Sequence, residues 1–254
     1  MRVTVIQTDI SWLSPQDNIR RAESLIDAAP LSDIYVLPEM WNTGFVTQKN
    51  VGIDQRETIL WMSRKADELD AAVCGSLCVT DSDGMQRNRF YFIEPGGKTT
   101  TYDKRHLFGY SGEDKFYSCG NEQKIVEFRG VRFFLAICYD LRFPVWLRNQ
   151  ECYDAMIVVA NWPEAREYAW QTLLRARAIE NQCHVIACNR IGKDTMCDYS
   201  GLSAILDSRG MELATAPAHT QATITADIDL EKQNYFREKH RDLYNRDKFV
   251  ITDK

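Results

Sequence analysis

Three polar residues stand where apolar runs end. Glu39 follows "IYVLP", Lys104 follows "TTTYD", and Cys138 closes "FFLAI". In layered α/β proteins the ends of strands carry loops above a rigid base, and ligand sites collect there. A carboxylate, an ammonium and a thiol converging on one pocket form a workable set. The carboxylate can take the thiol proton, the ammonium can stabilise a thiolate or an oxyanion, and the thiolate can attack an acyl carbon. Each residue also has a plainer reading. Cys138 is one of eight cysteines and fits a buried core position, Glu39 fits a helix N-terminus, and Lys104 sits in a charged run, "DKRH". Only the three together point to chemistry.

The elements that must position them follow from periodicity. "RVTVIQT" alternates as a strand, and "SPQDNIRRAESLIDAA" reads as a helix with Ser14 as N-cap and Pro15 in the first turn. "DIYVLPE" is a short buried strand, "ETILWMSRKADELD" a second helix, and "AAVCGSLCV" a strand. "NRFYFIEPGGKTTTYDK" and "QKIVEFRGVRFFLAIC" read as hairpins turning at Pro95-Gly96-Gly97 and Arg129-Gly130. Beyond Cys138 the pattern predicts a helix from Pro144, whose N-terminus would favour a thiolate. The strand "DAMIVVAN", the helix "EYAWQTLLRARAIENQ" and the strand "HVIACNR" come next. Two further strand segments, "LSAILDSRGMELATA" and "QATITADID", lead to a charged C-terminal helix. No linker or repeat divides residues 1–254, so one layered α/β domain with two sheets and helices outside is expected.

Composition narrows the function classes. The formal charge is −5, which argues against a nucleic-acid or anionic-membrane surface. Met1 leads into "RVTVIQTDISW" without the apolar core of a signal peptide, and no run approaches a membrane span, so the cytoplasm is expected. The scattered cysteines match neither a disulfide framework nor a structural zinc site, and no C-x-x-C pair suggests redox work. Neither a metal nor another cofactor is expected.

"LPEMWNTGF", "YDKRHLF" and "ICYDLRFP", with "LLRARAIENQCHVIACNRIG" and "YSGLSAILDSRGMELATA" behind them, resemble in order and spacing the signature segments of the nitrilase (carbon–nitrogen hydrolase) superfamily. The likeness runs over essentially the whole chain and is greatest to the bacterial ω-amidases. "TYDKRHLF" departs from that branch in lacking an aromatic before the Tyr. The resemblance implies a four-layer α-β-β-α sandwich that pairs into a homodimer. It also implies a Glu-Lys-Cys triad: Glu39 as general base, Lys104 as oxyanion stabiliser and Cys138 as nucleophile. A second glutamate is implied nearby; Glu113 is favoured for it over its neighbour Asp114. Hydrolysis of the terminal amide of a 2-oxo acid through a Cys138 thioester is the reaction it suggests, with the backbone N–H of Tyr139 as a further oxyanion donor.

Such a substrate needs a grip at its far end. Arg142, four residues beyond Cys138, offers a guanidinium that can bind a carboxylate bidentately, or else pairs with Asp140 as a structural group. Trp162 in "ANWPEAR" either walls the pocket or packs in the core. Arg175, Arg177 and Glu180 read as a structural ion network. Another hydrolase of the same superfamily, such as a carbamoylase or a nitrilase, is the alternative for the substrate, and two rivals of other kinds stand beside this reading. One is a Cys–His pair built on His106, for which no orienting Asn or Asp is evident. The other is a non-catalytic binding protein on the same fold, against which three intact polar residues weigh.

Overall fold

Alternation along the strands decides the layers. The computed structural model describes residues 1–48 and 54–252. In the first sheet, Val3, Val5, Ile34, Val36, Phe90 and Phe92 share one parity and face the second sheet, while Ile6, Tyr35, Leu37, Val73, Tyr91 and Ile93 face outward into a separate cluster. The strands are β1 (Arg2–Gln7), β2 (Ile34–Val36), β3 (Ala72–Thr80), β4 (Gln86–Ile93), β5 (Thr99–Asp103), β6 (Ile125–Phe128), β7 (Val131–Ile137), β8 (Ala155–Ala160), β9 (His184–Asn189), β10 (Ile191–Lys193), β11 (Asp198–Ser200), β12 (Ala204–Leu206), β13 (Glu212–Thr215) and β14 (Ala222–Asp227). One six-stranded sheet runs β14-β1-β2-β3-β4-β5 and the other β13-β12-β9-β8-β7-β6. Each has a parallel centre, β1-β2-β3 and β7-β8-β9, flanked by antiparallel strands.

Helices α1 (Pro15–Asp27) and α2 (Arg56–Leu69) cover the first sheet through Ile19, Ala22, Ile26, Trp61, Met62 and Ala66. Helix α3 (Glu167–Asn181) lays Trp170, Leu174 and Ala178 on the second sheet. The result is the expected α-β-β-α sandwich. A last helix, α4 (Leu230–Lys239), ties down the chain leading into the central strands β8 and β9, with Arg237 donating to the carbonyls of Tyr153 and Gln182. No helix among the described residues is long and apolar enough to cross a membrane.

Two expectations are corrected. No α-helix starts at Pro144. The chain leaves Cys138 in a 3-10 turn, Cys138–Arg142, and then makes a single turn before Asn149. Trp146 and Leu147 are buried, and the Asn149 amide is held by Tyr153 and Asn181. Ser14 does not cap α1 with its hydroxyl, which donates to Asp17 instead. The segment "IGKDTMCDYS", to which the sequence pattern assigns no element, forms the β10-β11 hairpin. Its strands are too short for a period to show.

The inter-sheet layer is aromatic: Phe92 packs between Phe128 at 5.8 Å and Phe133 at 6.1 Å between ring centres. Phe92→Ala should cost about 3–5 kcal/mol of stability in urea unfolding. A loss below about 1 kcal/mol would show that this layer is not tightly packed.

Candidate active site

The structure brings Glu39, Lys104, Glu113 and Cys138 together where the ends of the two sheets meet. Glu39 lies three residues beyond β2, in a loop laid across β3. Ser76 on β3 accepts the N–H of Trp41 with its carbonyl and that of Met40 with its hydroxyl. Gly75 makes the close approach possible, since a Cβ there would stand 2.9 Å from the Trp41 ring and 3.0 Å from the Leu37 Cβ. Lys104 follows β5 directly and donates its N–H to the Asn88 carbonyl. Glu113 reaches back from a short 3-10 turn and accepts the Phe108 N–H at 2.6 Å.

Lys104, Glu39 and Glu113 have fully buried side chains. The Lys104 ammonium lies 2.8 Å from Glu39 Oε1 and 2.9 and 3.1 Å from the two Glu113 oxygens. Burial alone would lower the Lys104 pKa, but Glu113 and Glu39 reverse it and hold the ammonium above its ordinary range. Burial raises the Glu113 carboxyl, with Lys104 opposing the shift and the Glu39 charge adding to it. Asp114 is exposed, which settles which of the two acids faces inward.

Cys138 is buried, with its backbone in the left-handed region at φ +45°. That conformation costs a non-glycine residue on the order of 1 kcal/mol or more. It turns the chain sharply out of β7. Burial raises the Cys138 thiol well above its usual range. The neighbouring Glu39 charge adds to this and Lys104 opposes it. The N–H of Tyr139, in the first turn of a 3-10 helix, has no intrahelical acceptor.

Three further residues join these groups, and sequence reasoning missed each role. Asn88 on β4 donates to Glu39 at 2.7 Å and to Glu113 at 3.2 Å, while accepting from Ser76. Its signal was a polar residue on the parity of Phe90 and Phe92. Asn161, just past β8, donates its backbone N–H to Glu39 Oε2 at 2.8 Å and its amide to the Glu39 carbonyl at 2.6 Å. Asp140 accepts from Tyr102 O–H at 2.7 Å, from Ile137 N–H at 3.0 Å and from His106 N–H at 2.9 Å. Its carboxylate also lies 2.8 Å from His106 Nδ1. It thus fastens the turn that carries Cys138 to the segment that carries Lys104.

His106 therefore does have an orienting acid, contrary to expectation. Its ring, however, is stacked flat on Phe143 at 3.7 Å and does not line the cavity at Cys138. Arg142 is not Asp140's partner. It lies 5.0 Å above the Trp162 ring, and both residues line that cavity. Arg177 braces the Cys138 turn by donating twice to the Leu141 carbonyl and once to Glu180, and Arg175 pairs with Glu212. Among the described residues no cluster of His, Cys, Asp and Glu could hold a metal ion.

A two-sheet α/β sandwich with a buried Glu-Lys-Glu cluster beside a strained cysteine is the architecture of a hydrolytic enzyme class. Residues 2–237 match the family model for carbon-nitrogen hydrolases. The chain is 42% identical to "Omega-amidase YafV" of Yersinia enterocolitica, over 99% of this chain and 98% of that one. It is 33% identical to "2-oxoglutaramate amidase" of Bacillus subtilis strain 168, over 95% and 98%. Among solved structures, XC1258 from Xanthomonas campestris, described as a CN-hydrolase superfamily protein with an arsenic adduct in its active site, superposes with a TM-score of 0.92 at 35% identity over 99% of each chain. The protein belongs to the carbon–nitrogen hydrolase family and hydrolyses carbon–nitrogen bonds.

Lys104→Met leaves two buried carboxylates facing each other without their cation, and should destabilise the fold by about 3–5 kcal/mol near neutral pH. Acids whose folded pKa is raised above the unfolded value oppose folding as pH rises and cease to do so once protonated. The deficit should therefore shrink as pH falls from about 8 to about 5. Unfolding curves with the same deficit at both ends of that range would contradict the buried charge arrangement.

Proposed function

We propose that the protein is an ω-amidase, which hydrolyses the terminal amide of 2-oxo acids such as α-ketoglutaramate and α-ketosuccinamate to the 2-oxo acid and ammonia. The observation that carries this is the convergence of buried Glu39 and Lys104 on Cys138, which lines a cavity together with Arg142. Two relatives named for ω-amide hydrolysis, similar over almost their whole length, support the substrate class.

The mechanism follows from the proton inventory. One ammonium serves two carboxylates, so a resting thiolate would add a further buried negative charge. The raised Cys138 pKa expresses that cost. The thiol accordingly stays protonated until substrate arrives. Glu39 then takes the proton as sulfur attacks the amide carbon, and the oxyanion forms against the Lys104 ammonium and the Tyr139 N–H. Each such donor is worth about 3–4 kcal/mol of barrier. Glu39 passes the proton to the nitrogen as the C–N bond breaks, and ammonia leaves a Cys138 thioester. Glu39 next takes a proton from water while the hydroxide attacks. The second oxyanion collapses, the C–S bond breaks, and Glu39 returns the proton to sulfur. Glu113, held by the Phe108 N–H, keeps Lys104 in place throughout. At the far end the Arg142 guanidinium binds the substrate carboxylate, with Trp162 beneath it. Thiol, carboxylates, ammonium and water supply every step without a cofactor. The same reading makes this a cytoplasmic enzyme that works as a homodimer.

Cys138→Ala should abolish ammonia release while leaving the unfolding transition intact, and Glu39→Gln should lower kcat by about a hundredfold to ten-thousandfold. Substantial turnover by the alanine variant would rule out the thioester. Assayed on α-ketoglutaramate, α-ketosuccinamate, a nitrile and an N-carbamoyl amino acid, the wild type should favour the two ω-amides. Preference for either of the others would overturn the substrate assignment and spare the nucleophile. Arg142→Lys should raise KM for the ω-amides by about tenfold or more, and much less for a neutral amide.

A further inference from the structure

Arg142 has a companion. Arg166, in a short 3-10 turn (Glu164–Arg166) between β8 and α3, lines the same cavity as Cys138 and Arg142. Its guanidinium lies 4.9 Å from the Phe108 ring centre and 5.0 Å from that of Tyr110. Among the described residues neither arginine is in an ion pair; each rests only on aromatic faces. A ring beneath a guanidinium satisfies its flat face and leaves its N–H edge directed elsewhere.

The acids nearby are already engaged. Asp194, on the β10-β11 hairpin that lines the same cavity, accepts the Tyr199 hydroxyl at 2.7 Å and the N–H groups of Met196 and Cys197. Glu164 lies 3.5 Å from His219. Two like charges facing one mostly apolar cavity, neither in an ion pair with the one carboxylate, Asp194, that lines it, are costly until an anion enters.

One residue sets both arginines. The Trp162 ring carries Arg142, and its indole N–H donates to the Arg166 carbonyl at 2.8 Å. The Trp162 backbone is in turn held by the Asn189 side chain on β9. The two guanidinium groups are therefore placed by one rigid unit at the end of the second sheet, as two-point recognition of a planar anion requires.

We propose that Arg166 is a second substrate-binding guanidinium, which together with Arg142 grips the carboxylate and adjoining 2-oxo oxygen of an ω-amide. This rests on the ω-amidase reading and adds a specificity-determining residue to it. A 2-oxo carboxylate presents acceptors in one plane, which two forks can share and one cannot saturate.

The test compares Arg166→Met and Arg166→Lys with wild type on α-ketoglutaramate and on pentanamide, an amide of equal length that lacks the anionic end. Arg166→Met should raise KM for α-ketoglutaramate by about tenfold to a hundredfold with kcat changed less than about threefold, and Arg166→Lys should recover part of the loss. For pentanamide, kcat/KM should stay within about twofold of wild type, whereas a merely structural arginine would move both substrates alike. Competitive inhibition by 2-oxoglutarate against pentanoate gives the same comparison without turnover. If wild type prefers α-ketoglutaramate and Arg166→Met keeps that preference, the role of Arg166 is overturned and the ω-amidase reading stands. If wild type shows no preference over pentanamide, the ω-amidase reading fails and this inference with it.

Discussion

A single buried ammonium governs the site. Lys104 is sealed from water between Glu39 and Glu113, and no other cation lies within ion-pair distance of either carboxylate among the described residues. Burying such a group is expensive, and the expense is offset only when every oxygen and proton is met. Asn88, the Asn161 backbone and the Phe108 backbone provide the remaining donors. Those donors come from both sheets, so the cluster cannot form until the sandwich closes. The chemistry proposed for the site inherits the same constraint: burial and the Glu39 charge, only partly offset by Lys104, hold the Cys138 thiol well above its usual range.

Cys138 shows the complementary strategy, in which backbone geometry is fixed by force. A left-handed φ at a non-glycine residue survives only if its surroundings over-determine it. Here Asp140 binds the Ile137 N–H on one side and the His106 segment on the other, while Arg177 holds the Leu141 carbonyl from α3. The thiol is consequently aimed by the strand before it, the lysine loop beside it and the helix behind it. The absence of an α-helix at Pro144 fits this arrangement. A helix N-terminus would add positive potential to a thiolate, whereas the buried pair already controls the proton through Glu39.

Much of this was legible in the residues. Glu39, Lys104 and Cys138 could be singled out because each interrupts an apolar run at a strand end, and alternation in β1 to β4 gave the faces of the first sheet. Asn88, Asp140 and Asn161 could not be read, because their roles exist only across the fold: Asn161 and Glu39 are separated by 122 positions in sequence. Local rules also misled at Pro144, where proline after a polar turn looks like a first helical residue. Tertiary hydrogen bonds to Asn149 and Asn181 win there. The hairpin bearing Asp194 and Tyr199 escaped notice because three-residue strands leave no period to detect.

The cavity separates reaction from recognition in space. Behind Cys138 the charges are saturated, since every oxygen of Glu39 and Glu113 has a donor and none of these side chains is exposed. Along the cavity walls two guanidinium groups lie on Trp162, Phe108 and Tyr110 without an ion pair among the described residues. The chain as a whole carries a net charge of −5. Long-range attraction of an anion to such a protein is weak, and the local field of the cavity decides binding. Changing the far-end specificity of this scaffold then requires only the aromatic-seated arginines to change. The buried cluster, whose members depend on one another through both sheets, offers no such freedom.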